Sequence, residues 1–440
     1  MRKSEQLKLA EWVIKHARRS GADQAAASIS NSRQVEIEFR DSKLEKVKES
    51  TRMNLSLDLY VQQKYSSHST SDLKKASLSR FIEEAISSTR YLTRDEHRSL
   101  PDPKYYPDEP LKDLRINDPN YNKVKSSDRV AMAAEIEAAA MARSDQIIST
   151  TSGYYDVYTS VVQVHSNGFS GEIQGTRFSA GAEVTVRDGE KGRPEDWYYA
   201  STRHRSDLPP ASTLGEWAVE RALRKIGQNK IESGRYAMIV ENRAGSRLLG
   251  MLQQPMTAYA LQQKQSFLEG MLDKKIASEK FTVIDDPFLE KGLGSRYFDG
   301  EGLVAKKRTL IEKGVLRQYF VDNYYGRKLG LEPTSGSWGN LVFQQGSESL
   351  KELIKHLDKG ILVTGFIGGN SNSTTGDFSF GIVGQLIEKG EVVQSVNEMN
   401  ISGNAKEFWN RLAAVGNDPY PYSSLRVPSM LFEDVDFSGL

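Results

Sequence analysis

Gln34-Val-Glu-Ile-Glu-Phe-Arg-Asp-Ser-Lys-Leu44, followed by Asn54-Leu-Ser-Leu-Asp-Leu-Tyr-Val61, carries the period that decides the fold. Val35, Ile37 and Phe39 alternate with polar residues, and Leu55, Leu57 and Leu59 do the same. One apolar face and one wet face mark half-buried antiparallel strands. The short connections Arg40-Asp41-Ser42 and Gln62-Gln63-Lys64 suit the tight turns of a meander. The expected strands are 25–29, 35–40, 44–49 and 54–61. A helix over 5–19 precedes them, with Leu7, Leu9, Ala10, Val13, Ile14 and Ala17 near helical spacing. A second helix over 71–90 follows them.

Farther along, residues 100–122 are rich in Pro, Asp and Tyr and read as an extended surface connection. A helix is expected over 127–144, then a strand over 147–164 with a break at Gly153. Asn167-Gly168 is a hairpin signal. More β structure is expected at 178–186 and 197–202, and a helix at 214–226. The second half opens with a strand at 237–240 and a helical stretch from Glu241 that Pro255 interrupts. The remainder reads as mostly β, with hairpins across Lys313-Gly314 and Lys389-Gly390. It also holds a buried-type strand at 361–366, a short helix at 350–357 and a last helix at 404–414. The fold class is therefore α+β. An N-terminal domain, 1–228, mixes a curved antiparallel sheet with helices and contains the connection at 98–124; a strand-rich C-terminal domain covers 229–440.

The chain has 440 residues, too many for one ordinary core. Apolar residues make up 38% and charged residues 27%, which fits a globular protein. No run approaches the ~20 apolar residues of a membrane span. Glu5, Lys8, Glu11 and Lys15 interrupt any signal-peptide core, so a cytoplasmic location is expected. Net charge is +1 with both signs interspersed, which argues against a nucleic-acid footprint. Cysteine is absent, which removes disulfides, thiolate ligands and thiol nucleophiles.

The six histidines, His16, His68, His97, His165, His204 and His356, are isolated, and no helix offers a paired imidazole face. A catalytic zinc normally takes three protein ligands, so no metal is expected in this chain. His165-Ser166 could be a nucleophile pair, but Ser166-Asn167-Gly168 reads better as a turn. Asp285, Asp286, Asp299 and Glu301 could hold a hard cation or serve a carboxylate hydrolase; two turns, Asp-Pro and Asp-Gly, explain them better. No phosphate-binding glycine loop is present. The richest local signal is Thr364-Gly-Phe-Ile-Gly-Gly-Asn-Ser-Asn-Ser-Thr-Thr-Gly-Asp-Phe-Ser-Phe-Gly381. It reads as a polar loop whose backbone amides could serve a peptide or a partner chain, and the candidate contacts are Gly368, Gly369, Asn370, Thr375, Gly376, Asp377 and Ser379.

Several spaced motifs agree with one family. Thr375-Gly-Asp-Phe-Ser379, Asn400-Ile-Ser-Gly-Asn404, Ala414-Val-Gly-Asn-Asp418, Phe298-Asp-Gly-Glu-Gly302 and Arg327-Lys-Leu-Gly330 occur in that family's order. The chain thus resembles the TldD/PmbA family, once called modulators of DNA gyrase. In the family's catalytic, TldD-type subunits, the helix after the first C-terminal strand carries His-Glu-x-x-x-His, and a cysteine ligand lies farther on. The matching positions here hold Gly250, Met251 and Pro255, so the resemblance carries over no catalytic residue. What it implies is a TldE-type, non-catalytic subunit of a heterodimeric metallopeptidase acting on unfolded peptides, with zinc in the TldD-type partner. The alternative is a homodimeric peptide-binding module without peptidase activity.

Overall fold

The computed structural model describes residues 3–108, 112–190 and 192–440; three residues of the expected connection at 98–124 lie outside them. The alternating segments build a six-stranded antiparallel sheet from β1 (Gln24–Arg40), β2 (Lys43–Val61), β3 (Lys64–Thr70), β4 (Ile147–His165), β5 (Ser170–Val186) and β6 (Glu195–Thr202), in the order β3-β2-β1-β4-β5-β6. The strands expected at 25–29 and 35–40 are one strand, and so are those at 44–49 and 54–61. β1 pairs with β2 through the polar run Asn31-Ser-Arg-Gln34 and with β4 on its other side. Main-chain hydrogen bonds continue whatever the side chains do, so a polar run does not end a strand flanked on both edges. Asp41 and Ser42 have φ of 48° and 58°, Gln62 and Gln63 of 54° and 61°. Both two-residue turns are therefore left-handed at each central position, matching the twist of the strands they join.

Four helices lie on one face of this sheet: α1 (Lys3–Arg19), α2 (Lys75–Thr89), α3 (Ser126–Met141) and α4 (Ala211–Leu223). α1 and α2 bury Val13, Leu78 and Ile82 against Ala25, Ala27, Ile29, Leu57 and Val162. α3 and α4 bury Ile136, Leu214 and Ala218 against Val35, Ile37, Phe178 and Ala180. Positions 25, 27, 29, 35 and 37 share a parity, so both helix pairs cover the same face, one at each end. Gly153 does not break β4. It pairs with Glu38 on one side and Gly181 on the other, and a Cβ there would lie 3.1 Å from the Tyr199 hydroxyl. The glycine gives clearance to an aromatic ring.

The second half contains β7 (Gly234–Val240), β8 (Val283–Asp285), β9 (Arg308–Glu312), β10 (Val315–Leu316), β11 (Leu341–Phe343), β12 (Lys359–Ser371), β13 (Asp377–Glu388), β14 (Glu391–Asn404), β15 (Leu412–Val415), β16 (Leu425–Arg426) and β17 (Met430–Ser438). Among them run α5 (Ser246–Gln253), α6 (Ala258–Gln262), α7 (Asn323–Leu329), α8 (Leu350–Lys355) and α9 (Ala405–Phe408). One sheet has the order β10-β9-β8-β11-β16 and the other β14-β13-β12-β7-β17-β15. A β14–β17 pairing closes β7, β12, β13, β14 and β17 into a ring of strands. On β7, Met238 and Val240 join the core that also receives α5, while Ile239 faces the smaller cluster beneath α8. The last helix is short: α9 ends at Phe408, and Leu412–Val415 is a strand.

Two buried polar groups tie the N-terminal sheet together. Arg129 on α3 donates from Nε to Asp156 Oδ2 on β4 at 2.6 Å, and the Tyr121 hydroxyl donates to Asp156 Oδ1 at 2.9 Å. His165, at the end of β4, is buried between Tyr106, whose hydroxyl lies 3.0 Å from Nδ1, and Gln163. Burial pulls its pKa down to about 4. Asp156→Ala strands the Arg129 guanidinium and should cost about 3–5 kcal/mol, read as a lowered urea midpoint. Below pH 6.5 an unfolded imidazole takes up a proton that buried His165 refuses. This contribution is therefore complete above pH 6.5 and is lost as the pH falls towards 4, by about 3 kcal/mol. His165→Gln should flatten the stability–pH curve between pH 6.5 and 4, while an unchanged slope would assign the acid sensitivity elsewhere.

Candidate functional site

β7 ends one residue later in function than in geometry. Glu241 N–H donates to Val363 O, so this residue still pairs with β12, and the helix expected from Glu241 begins at Ser246. α5 buries Leu248, Leu249, Met251 and Leu252 and exposes Arg247, Gly250 and Gln253. Pro255 stands in the turn before α6, whose N-cap Thr257 accepts from Ala260 N–H. Among the described residues no atom lies within 4 Å of a Cβ built at Gly250, beyond its own turn of helix. Met251 is 3% exposed and packed in the main C-terminal core. Zinc asks for imidazole, carboxylate or thiolate donors, and glycine, a buried thioether and proline supply none. These three positions do not fit the ion. Among the described residues, no group of three His, Asp or Glu side chains is placed to ligate a metal.

A cleft of about 740 Å³ opens beside the start of α5, between β6, α4 and β12. Arg221 of α4 spans it at the base. Its Nη1 donates to Glu241 Oε2 at 2.7 Å and its Nη2 to Thr364 O at 2.9 Å, and its Nε lies 3.5 Å from Asp196 Oδ1. Burial opposes its charge, but Glu241 and Asp196 outweigh burial and hold its pKa above the ordinary value. Lys225 pairs with Asp196 at 3.2 Å. Arg243 stacks 4.4 Å from the Trp197 ring centre and 4.6 Å from that of Tyr198, and both of its terminal nitrogens donate to Trp197 O at 3.1 Å. Burial, followed by the nearby Arg221 charge, lowers its pKa. Arg247 lies over Phe380 and donates to Gly369 O at 2.7 Å.

The walls of the cleft are strand edges. β12 pairs with β7 only over Gly360–Val363, so from Thr364 onward it has β13 on one side alone. Among the described residues β6 pairs only with β5. Exposed apolar groups project between these edges, notably Trp197 at 50% and Ile367 at 45% exposure. Side chains already occupy several edge carbonyls: Arg243 donates to Trp197 O, Arg221 to Thr364 O and Arg247 to Gly369 O, so guanidinium groups brace both edges.

The expected polar loop is instead a hairpin. β12 runs to Ser371 and β13 begins at Asp377. Gly368 and Gly369, with φ of 65° and 81°, form a bulge between the Ile367 and Asn370 pairings. At the tip the Asn372 side-chain oxygen accepts from Thr374 N–H at 2.8 Å, and Gly376 N–H donates to Asn372 O at 2.8 Å. Thr375 Oγ1 donates to Asp377 Oδ2 at 2.7 Å, and Asn404 Nδ2 donates to Asp377 Oδ1 at 2.8 Å; these two contacts hold the exposed carboxylate below its ordinary pKa. The amides at the tip therefore close the turn rather than stand free. Of the seven candidate contacts, Gly368 lines the cleft and Gly369 binds Arg247. Asn370, Asp377 and Ser379 line a neighbouring hollow of about 530 Å³, while Thr375 and Gly376 belong to the tip.

The acidic residues work as structure. Asp285, at the end of β8, accepts from Arg308 Nη2 at 3.0 Å and from Gly339 N–H at 2.7 Å. Lys307 pairs with Asp286 at 2.8 Å, and Asp299 accepts from the amides of Glu301 and Leu303. Sequence patterning does not single out Arg221, Asp196, Trp197, Arg243 or Arg247. The one local signal is Arg243-x-x-x-Arg247, which puts two cations at the entry to a helix.

Comparison with known proteins agrees in three blocks. Residues 25–89 match PmbA/TldA metallopeptidase domain 1, residues 119–226 the central domain, and residues 233–439 the C-terminal domain. The chain is 29% identical over 425 residues to metalloprotease PmbA of Escherichia coli O157:H7, covering 95% of this chain and 93% of that one. A crystal structure from Bacteroides thetaiotaomicron, described as a modulator of DNA gyrase, superposes with TM-score 0.97 at 42% identity over all of both chains. TldE from Thermococcus kodakarensis shares the fold, with TM-score 0.87 at 23% identity, over 98% of this chain and all of that one. With all three domains matched in order, this chain belongs to the PmbA/TldD family.

Proposed function

We propose that this chain is the non-catalytic, TldE-type subunit of a cytoplasmic TldD/TldE metallopeptidase acting on unfolded peptides, with zinc held by a TldD-type partner. The observation that carries the reading is α5. It keeps its place after β7 but holds Gly250, Met251 and Pro255 where a catalytic relative would hold its ligands, and Met251 is used for core packing. The cleft between the edge strands β6 and β12 supports the second half of the reading, with Arg243 and Arg247 releasing their edge carbonyls to an incoming chain. Extended peptides pair with such edges through the main chain, which suits substrates with little sequence selection.

Purified alone, the chain should carry no stoichiometric zinc and cleave no unfolded peptide; a TldD-type subunit added to it should gain activity. Chelator-sensitive cleavage by this chain alone would overturn the proposal, and recovery of homodimers only from the native host would favour a stand-alone peptide-binding module. In the two-subunit assembly, Arg243→Ala should raise KM about five- to tenfold with kcat nearly unchanged, because it removes a cation from the cleft and leaves the chemistry elsewhere. An unchanged KM would take the cleft out of peptide capture.

A further inference from the structure

Near the C-terminal end of α5 lies a separate cavity of about 310 Å³. Its buried walls are Leu252, Phe267, Leu268, Ile276, Ala405 and Trp409, with Met271 half-buried. Interiors normally close-pack, and voids larger than a water molecule are few. An apolar cavity of about 150 Å³ already holds benzene, so this one has room for a phenyl or branched aliphatic group. The wall also carries an unanswered donor: the Trp409 indole N–H is buried and has no hydrogen-bond acceptor among the described residues. Trp409 itself is fixed, stacked on Phe281 with ring centres 4.6 Å apart.

The mouth is charged. Glu269, Lys275 and Lys406 are exposed at the rim. Glu269 is tied to Lys264, and Lys275 pairs with Glu279 at 3.6 Å. Lys406 is left as the rim cation without an ion-pair partner among the described residues, although its field reaches Asp377. The hairpin tip braces this rim. Phe267 N–H donates to Ser373 O at 2.9 Å and Ala405 N–H to Gly376 O at 2.8 Å, so the 373–376 turn holds two of the walls in place.

We propose that this cavity binds an apolar group attached to a carboxylate, with the apolar group against Trp409 and Phe267 and the carboxylate at Lys406. That chemistry describes two sources, the C-terminal residue of a peptide or a small free acid. The site needs no catalytic partner, so its failure and that of the two-subunit reading are separable.

The test is calorimetric titration of the full chain with three probes: the peptide Ala-Ala-Ala-Phe with a free C-terminus, its C-terminal amide, and 3-phenylpropionate. The free-acid peptide should bind about three- to fivefold more tightly than the amide, the preference expected of one exposed charge pair. Lys406→Ala, a surface change, should erase that preference. Met271→Trp, which fills the cavity, should weaken the peptide more than tenfold; circular dichroism checks that it remains folded. Binding of the peptide but not 3-phenylpropionate identifies a peptide end as the occupant, and the reverse identifies a small acid. No binding of either at millimolar concentration, or acid and amide binding alike in the wild-type chain, overturns the proposal.

Discussion

The buried guanidinium of Arg221 is the constraint on which the arrangement rests. It belongs to α4, which packs on the N-terminal sheet, yet its hydrogen bonds go to Glu241 and Thr364 of the C-terminal sheet. Glu241 is therefore fixed twice, by its amide on Val363 and by its carboxylate on Arg221, and the turn into α5 starts from that fixed point. Such a bridge adds little net stability, since desolvating the ions offsets much of their attraction. What it supplies is register. Any slip of α4 against β12 would strand a buried charge, so the two sheet edges of the cleft are held at one spacing.

From that anchored start, α5 runs with one face in the core and one face open. Reintroducing metal ligands would not be a matter of swapping exposed residues. An imidazole at Gly250 would find room, but a carboxylate at Met251 would sit among Leu248, Leu252 and their neighbours, with its charge buried and unpaired. Pro255 closes the helix, and a ligand there would also remove the turn that leads to Thr257 and α6. Of the three positions, Met251 is the one committed to the main core.

The sheet was legible where one face is covered. Val35, Ile37 and Leu55, Leu57, Leu59 alternate because helices lie over them. Between the helix pairs no cover imposes the period, so Asn31–Gln34 looks like a gap although the ladder runs through it. Met430–Ser438 hides for a related reason. Asp434, with φ of 55°, sits in a bulge between the pairings of Phe432 and Val435, and the bulge shifts the parity of the apolar residues. The glycine-rich stretch around Gly368 shows the opposite error. Its composition is that of a loop, but Gly368 and Gly369 serve a bulge inside a strand, and the turn is only its last few residues. The cleft itself was illegible because its charged groups come from β6, α4 and the turn before α5, and only the folded contacts bring these and the more distant β12 onto one surface.

The two cavities meet along α5. Ala244 and Ser246 at its start line the arginine cleft, and Leu252 near its end lines the apolar pocket. Ser246 and Leu252 are separated by about 9 Å along the helix axis, the reach of roughly three extended residues. Between them stands exposed Gly250, and among the described residues no atom lies within 4 Å of a Cβ built there. This stretch holds Gly250, Met251 and Pro255, none of them a zinc donor, and runs from the arginine cleft to the apolar pocket.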